Sequence, residues 1–256
     1  MESSSKIKII ALPFSGGNIY SYDVFRKNIS DNFDWITYEL PGRGNRISED
    51  FLLDVNSVVD DILEKMSSTI EKFNYVIYGH SLGALLGYEL AKKIETLNLP
   101  APLFLFFTGR GSPAISDRER ITDLPEEQFW TRVSEMGGTS SAILESEELK
   151  LFLAPILRSD FKISENYSYK QMSKPLSTPV FIGIGNEELI GDEKIKWEHL
   201  LKWQETTSKD FSVDFYKGDH FFIFKHSNQI IKKIEDLSTS FAIGENSLLS
   251  TEKAYT

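Results

Sequence analysis

Tyr75-Val-Ile-Tyr-Gly-His-Ser-Leu-Gly83, followed by Ala84-Leu-Leu-Gly87, is the stretch from which the fold is read. An apolar run suited to a buried strand, Tyr75–Tyr78, enters a G-x-S-x-G turn, and the turn opens an apolar helix. Gly79 and Gly83 remove side chains that would clash where so tight a bend passes its neighbours. Ser81 is forced into a strained, exposed position at the amino end of the helix, where the dipole and free N–H groups favour negative charge. A serine held this way is a candidate nucleophile, and the Leu82 N–H is the first candidate donor to the oxyanion its attack on a carbonyl would create. The plainer alternative is a glycine-rich turn with a capping serine, and the strand and helix on either side weigh against it.

Outward from this turn, short apolar runs ending in Gly, Pro or Ser alternate with longer amphipathic stretches. Strands are expected at Lys8–Leu12, Trp35–Leu40, Tyr75–Tyr78, Leu103–Phe107, Val180–Ile184 and Ser212–Tyr216. Helices are expected at Val55–Phe73, with Val55, Val58, Val59, Ile62, Met66 and Ile70 on one face, and at Leu82–Ile94 and Ile230–Leu237. Together these predict an α/β-hydrolase fold, a mostly parallel central sheet flanked by helices, over residues 1–242. From Ile115 to Tyr169 no strand is evident, and helical patterns lie around Pro125–Met136 and Glu147–Leu157. We read that interval as a helical lid insertion over the crevice at the carboxyl ends of the strands, with static packing as the alternative to movement. Residues 243–256 turn small and polar and are expected to form a loose tail.

A serine nucleophile needs a second oxyanion donor, a base and an acid. Pro13-Phe-Ser-Gly-Gly17, after the first strand, makes a glycine-rich bend facing the turn, and its Ser15 N–H is the second candidate donor, with Phe14 as the neighbour. The chain has four histidines. His80 adjoins Ser81 on a turn that points adjacent side chains apart, so it reads as structural, while His199 falls within a helical pattern and His226 lies beyond the last loop. His220, in Lys217-Gly-Asp-His-Phe-Phe222, follows the last strand, where this fold presents its base. The loop after Leu103–Phe107 has no acid before Asp117, which turns attention to Gly185-Asn-Glu-Glu-Leu-Ile-Gly-Asp192. Counting from the strand end selects Glu188, counting back from Trp203 and His220 favours Asp192, and Glu187 stays open; we take Glu188.

Composition bounds the alternatives. With 256 residues and 41% hydrophobic content the chain can bury one large core. It has no cysteine, which excludes disulfides, thiolate metal sites and a cysteine nucleophile. The formal charge of -10, without Lys/Arg stripes, speaks against nucleic acid as a partner. Met1–Ile10 lacks a basic region before a long apolar run, and Ile7–Phe14 is too short to span a bilayer, so a cytoplasmic protein with no membrane partner is expected.

Several stretches together resemble the stand-alone type II thioesterases that accompany nonribosomal peptide and polyketide synthases. They are Leu12-Pro-Phe-Ser-Gly-Gly17, Leu40-Pro-Gly-Arg-Gly-Asn-Arg46, Gly79-His-Ser-Leu-Gly83, Thr108-Gly-Arg-Gly-Ser-Pro113, Leu124-Pro125, Gly137-Gly-Thr139, Leu157-Arg-Ser-Asp-Phe161 and Gly218-Asp-His-Phe-Phe222. The resemblance runs nearly the whole length. It implies Ser81 and His220 as catalytic, the insertion as a lid over an acyl pocket, and hydrolysis of acyl or aminoacyl thioesters on the phosphopantetheine arm of carrier domains. It implies no metal or organic cofactor, and a monomer is expected. The departure is the acid, since the family usually has Asp where Glu188 stands. An esterase or acyltransferase using the same residues, or an inactive carrier-binding module, are the competing readings.

Overall fold

A computed structural model describes residues 6–115, 120–190 and 195–252, with residues 243–252 as backbone only. In chain order the elements are β1 (Ile7–Leu12), α1 (Asp23–Asn28), β2 (Phe33–Thr37), α2 (Val55–Lys72), β3 (Tyr75–His80), α3 (Leu82–Thr96) and β4 (Leu105–Thr108). The insertion follows as α4 (Glu126–Glu135), α5 (Ser141–Leu144) and α6 (Glu147–Glu165). The chain then returns through β5 (Val180–Gly185), α7 (Trp197–Leu201), β6 (Phe211–Tyr216), α8 (Phe222–Lys225) and α9 (Ser227–Glu252).

The six strands form one parallel sheet in the order β2-β1-β3-β4-β5-β6. Side chains alternate between its faces, as the period of two requires. Ile10, Leu12, Tyr75, Ile77, Val180 and Ile182 pack with α2 and α3 on one side. Ile9, Ala11, Val76, Tyr78 and Phe181 pack with α1 and α9 on the other. Both faces are covered, which is why these strands read as unbroken apolar runs. Glycine-free α2 is amphipathic as expected, with Val55, Val58, Val59, Ile62 and Ile70 buried and Met66 packed against them. The Asp54 carboxylate caps its first turn by accepting the Ser57 N–H at 3.0 Å.

Three of the boundaries that differ from expectation have a physical reason in the structure. The second strand ends at Thr37 rather than Leu40: Tyr38 and Leu40 are buried, but the partner strand β1 itself ends at Leu12, one residue past the Ala11–Thr37 pair, and leaves them no ladder to continue. Helix α6 runs past Leu157 to Glu165 with Pro155 inside it. Beyond the proline, Ile156, Ser159, Asp160 and Ile163 are buried at helical spacing, so tertiary packing carries the helix on. The last helix does not stop near Leu237 but continues to Glu252, through most of the stretch expected to be a loose tail. That stretch contains no proline, and Gly244 alone does not end a helix already propagating.

Between β4 and β5 the described residues contain no strand. The insertion has a small core of its own, Ile121, Phe129, Trp130 and Val133, joined by Leu157 and Phe161 of α6. Among the described residues no helix is long and apolar enough to cross a membrane.

Candidate active site

Ser81 stands between β3 and α3 with φ 54 and ψ -108, a left-handed conformation that costs a residue with a side chain about 1–3 kcal/mol. The surroundings over-determine it. Its N–H donates to Thr108 O on β4 at 2.9 Å. A Cβ on Gly79 would lie 2.2 Å from Gly83 O, and one on Gly83 would lie 2.1 Å from Leu12 O at the end of β1. Only glycine at these two positions lets α3 start so close to the sheet. The strained backbone expected of this serine is present, while its side chain is half-buried rather than exposed.

His220 lies just beyond β6, where the chain doubles back through Gly218 (φ 133). Its loop is fastened to the loop after β5: Gly218 N–H donates to Asn186 Oδ1 at 2.9 Å, and Glu187 N–H donates to Gly218 O at 3.0 Å. A Cβ on Gly185 would meet Asp219 O at 2.5 Å, so the two loops are in backbone contact. This contact brings Glu188 Oε1 to 2.6 Å from His220 Nδ1. The other oxygen, Oε2, accepts the Gly185 N–H at 2.9 Å, and the side chain is only 7% exposed. A carboxylate so placed can fix the imidazole's orientation and stabilise its protonated form. Glu187 is exposed, and Asp192 lies outside the described residues.

The imidazole of His220 reaches the nucleophile's neighbourhood. Its ring centroid is 4.7 Å from that of His80, and its Cε1 would lie 3.0 Å from a Cβ on Gly109, the residue after β4. Among the described residues the Ser81 hydroxyl makes no hydrogen bond to it. His80 is fully buried, with Nδ1 3.0 Å from Thr108 Oγ1 and Nε2 unpartnered. Burial, and then the neighbouring His220, push its pKa well below the usual histidine value, so it is a neutral ring. His226 braces the same loop, its Nε2 at 2.8 Å from Lys217 O. His199 lies on α7, where its carbonyl accepts the Ser112 N–H.

At the oxyanion position, Leu82 is the first residue of α3, and its N–H has no internal carbonyl acceptor among the described residues. The loop after β1 faces it. Within that loop Gly17 N–H is taken by Phe14 O at 2.9 Å and Gly16 N–H by Asp160 Oδ2 at 2.7 Å. Ser15 and Phe14 are left as the N–H groups of this loop without a partner among the described residues. Ser15, the earlier choice, is compatible with this arrangement.

The insertion touches the site at Phe221 and at the loop after β1. Gly138 (φ 75) is pressed against the Phe221 ring, which would lie 2.0 Å from an added Cβ. Asp160 on α6 reaches the loop after β1. Sequence reading had assigned no role to Asp160, to its partner Arg43, or to Thr108. Each belongs to a motif quoted for the resemblance, and that was the available signal. Among the described residues no cluster of His, Cys, Asp and Glu could hold a metal ion.

Comparison with known proteins accords with this geometry. Residues 7–237 match the thioesterase domain. Gramicidin S biosynthesis protein GrsT of Aneurinibacillus migulanus is 30% identical over 91% of this chain and 89% of its own length. Thioesterase PikA5 of Streptomyces venezuelae is 26% identical over 91% of this chain and 81% of its own. Among solved structures, ClbQ from the colibactin NRPS/PKS pathway superposes with a TM-score of 0.85 at 28% identity, covering 93% of this chain and 99% of that one. A parallel sheet presenting a strained serine, a family match over almost all of β1 to α9, and relatives of matching length lead to one statement: the chain belongs to the thioesterase family, in the α/β-hydrolase fold.

Proposed function

We propose that this protein is a stand-alone type II thioesterase that hydrolyses acyl or aminoacyl groups from the phosphopantetheine thiol of carrier domains in nonribosomal peptide or polyketide biosynthesis. The observation that carries the reading is the Glu188–His220 hydrogen bond of 2.6 Å beside a serine held at φ 54. The names of GrsT, PikA5 and ClbQ support the pathway class.

In the proposed reaction Ser81 Oγ attacks the thioester carbonyl while His220 Nε2 takes its proton. The oxyanion is received by the Leu82 and Ser15 N–H groups. As the C–S bond breaks, His220 returns the proton to the departing thiolate, and the acyl group stays on Ser81 as an ester. Water then attacks that ester, giving its proton to His220, which passes it back to Ser81 Oγ as the free acid leaves. Glu188 stays ionised throughout and stabilises the imidazolium. Thiolates leave more readily than alkoxides, so these groups suffice without a metal. The carrier domain docks outside the insertion, with its pantetheine arm reaching beneath it, and the protein acts as a monomer in the cytoplasm.

The test is a hydrolysis panel of differently acylated carrier domains, run beside matched acyl-pantetheine thioesters and oxygen esters. Carrier-bound thioesters should be cleaved with the highest kcat/KM. A marked preference for the oxygen esters would favour a carboxylesterase instead. Labelling by a fluorophosphonate, lost in Ser81→Ala, separates a working enzyme from an inactive binding module.

A further inference from the structure

Two charged residues that take no part in the chemistry above, Arg43 and Asp160, meet at the turn after β1. Asp160, on α6 of the insertion, has a fully buried side chain whose Oδ1 accepts from Arg43 Nη2 and whose Oδ2 accepts from Arg43 Nη1, each at 2.6 Å. Oδ2 also accepts the Gly16 N–H at 2.7 Å, while Arg43 Nη1 donates to Gly17 O at 3.2 Å. The ion pair therefore straddles the turn after β1, the carboxylate holding an amide hydrogen and the guanidinium a carbonyl. One turn earlier on α6, Leu157 presses on Gly16, where an added Cβ would come within 2.8 Å of Cδ2.

Burying two opposite charges is a poor route to stability, because apolar side chains of similar size usually do as well or better. What the charges add is directional grip on backbone groups. The turn has Gly17 N–H bonded to Phe14 O and Gly16 at φ 80, the pattern of a type II turn. The ion pair holds this turn by the Gly16 N–H and the Gly17 carbonyl, and so fixes where the whole turn sits, including the adjoining Phe14–Ser15 peptide that carries the Ser15 N–H. We propose that Asp160 and Arg43 are positioning residues for the oxyanion-binding loop, fixing the Phe14–Gly17 turn in the form that presents the Ser15 N–H to the reacting carbonyl. This rests on the assignment of Ser15 as oxyanion donor. It makes turnover depend on α6 being seated, since lifting the insertion withdraws the carboxylate from Gly16.

The experiment compares wild type, Ser15→Pro, the double variant Arg43→Met/Asp160→Leu, and the triple variant combining them, using an acyl-pantetheine thioester and thermal melting. Proline suits the second position of this turn and removes the N–H together with the serine hydroxyl, and Ser15→Ala, which keeps the N–H and should turn over normally, controls for the hydroxyl. The double variant leaves no charge buried, so its fold should persist. The expected result is a fall in kcat of about a hundredfold for Ser15→Pro and about ten- to a hundredfold for the double variant, with KM nearly constant and the melt preserved. The triple variant should fall no more than about threefold below Ser15→Pro, because both changes act through one N–H. Wild-type kcat in the double variant, a loss that appears only in KM or in the melt, or full additivity in the triple variant would overturn the proposal. If the double variant fails to fold, Arg43→Lys is read by the same criteria, since an ammonium cannot span both carboxylate oxygens and Gly17 O. Wild-type turnover in Ser15→Pro would overturn both the donor assignment and the proposal, leaving the reading of Ser81 intact. Hydrolysis retained in Ser81→Ala would remove that reading itself.

Discussion

His80 and His220 face each other with ring centroids 4.7 Å apart, and the structure sets them to opposite uses. His80 is sealed against Thr108 and the aromatic rings of Phe14, Phe221 and Phe222, where no charge is tolerated. His220 is partly exposed and hydrogen-bonded through Nδ1 to the Glu188 carboxylate. A second cation beside His220 would oppose formation of the imidazolium, so the neutrality of His80 serves the proposed base.

That neutrality has a consequence for stability. Below about pH 6.5 the unfolded chain takes up a proton at position 80 that the native state refuses, so stability falls as pH falls, by up to ~1.4 kcal/mol per pH unit from this group. His80→Asn, which can still meet Thr108, should flatten the acid limb. Denaturant unfolding of both proteins between pH 7 and pH 5 checks this, and parallel slopes would count against it.

Glu188→Gln should keep the fold and lower kcat about a hundred- to ten-thousandfold, because an amide cannot stabilise the imidazolium and can leave the ring in the wrong tautomer. Asp192→Asn should turn over normally. Steady-state hydrolysis by the two variants decides between the carboxylates, and the reverse outcome would transfer the role to Asp192.

Ser81→Ala and His220→Ala should each abolish nearly all hydrolysis, and the double variant should be no worse than either, as expected of groups acting as one unit. Additive losses measured on the same thioester would mean the two residues do not share a proton.

Gly83→Ala should be costly far beyond an ordinary helical substitution. Its methyl group would lie 2.1 Å from Leu12 O, which belongs to a buried strand and cannot swing aside. A loss of about 3 kcal/mol or more, or failure to fold, is expected from equilibrium unfolding. An alanine in mid-helix without such a neighbour would instead stabilise by about 1 kcal/mol.

Much of this arrangement was legible in the chain itself. The six strands, the G-x-S-x-G turn and the helix face of α2 are local patterns, decided by side-chain periodicity and by which residues tolerate a tight bend. The ends of β2, α6 and α9 were not, because β2 stops where its partner β1 stops and α6 is prolonged by burial of Ile156, Asp160 and Ile163.

By itself the sequence determined that a serine would stand strained between a strand and a helix, since Gly79, Ser81 and Gly83 leave that bend few other conformations. Only the tertiary structure decided which carboxylate meets His220 and which side chains hold the turn at Ser15. Spacing could not choose between Glu188 and Asp192, and nothing in the spacing of Arg43 and Asp160 announced a pair. Those contacts join loops far apart in the chain, and hydrogen bonds of 2.6 Å are set by how whole strands and helices pack.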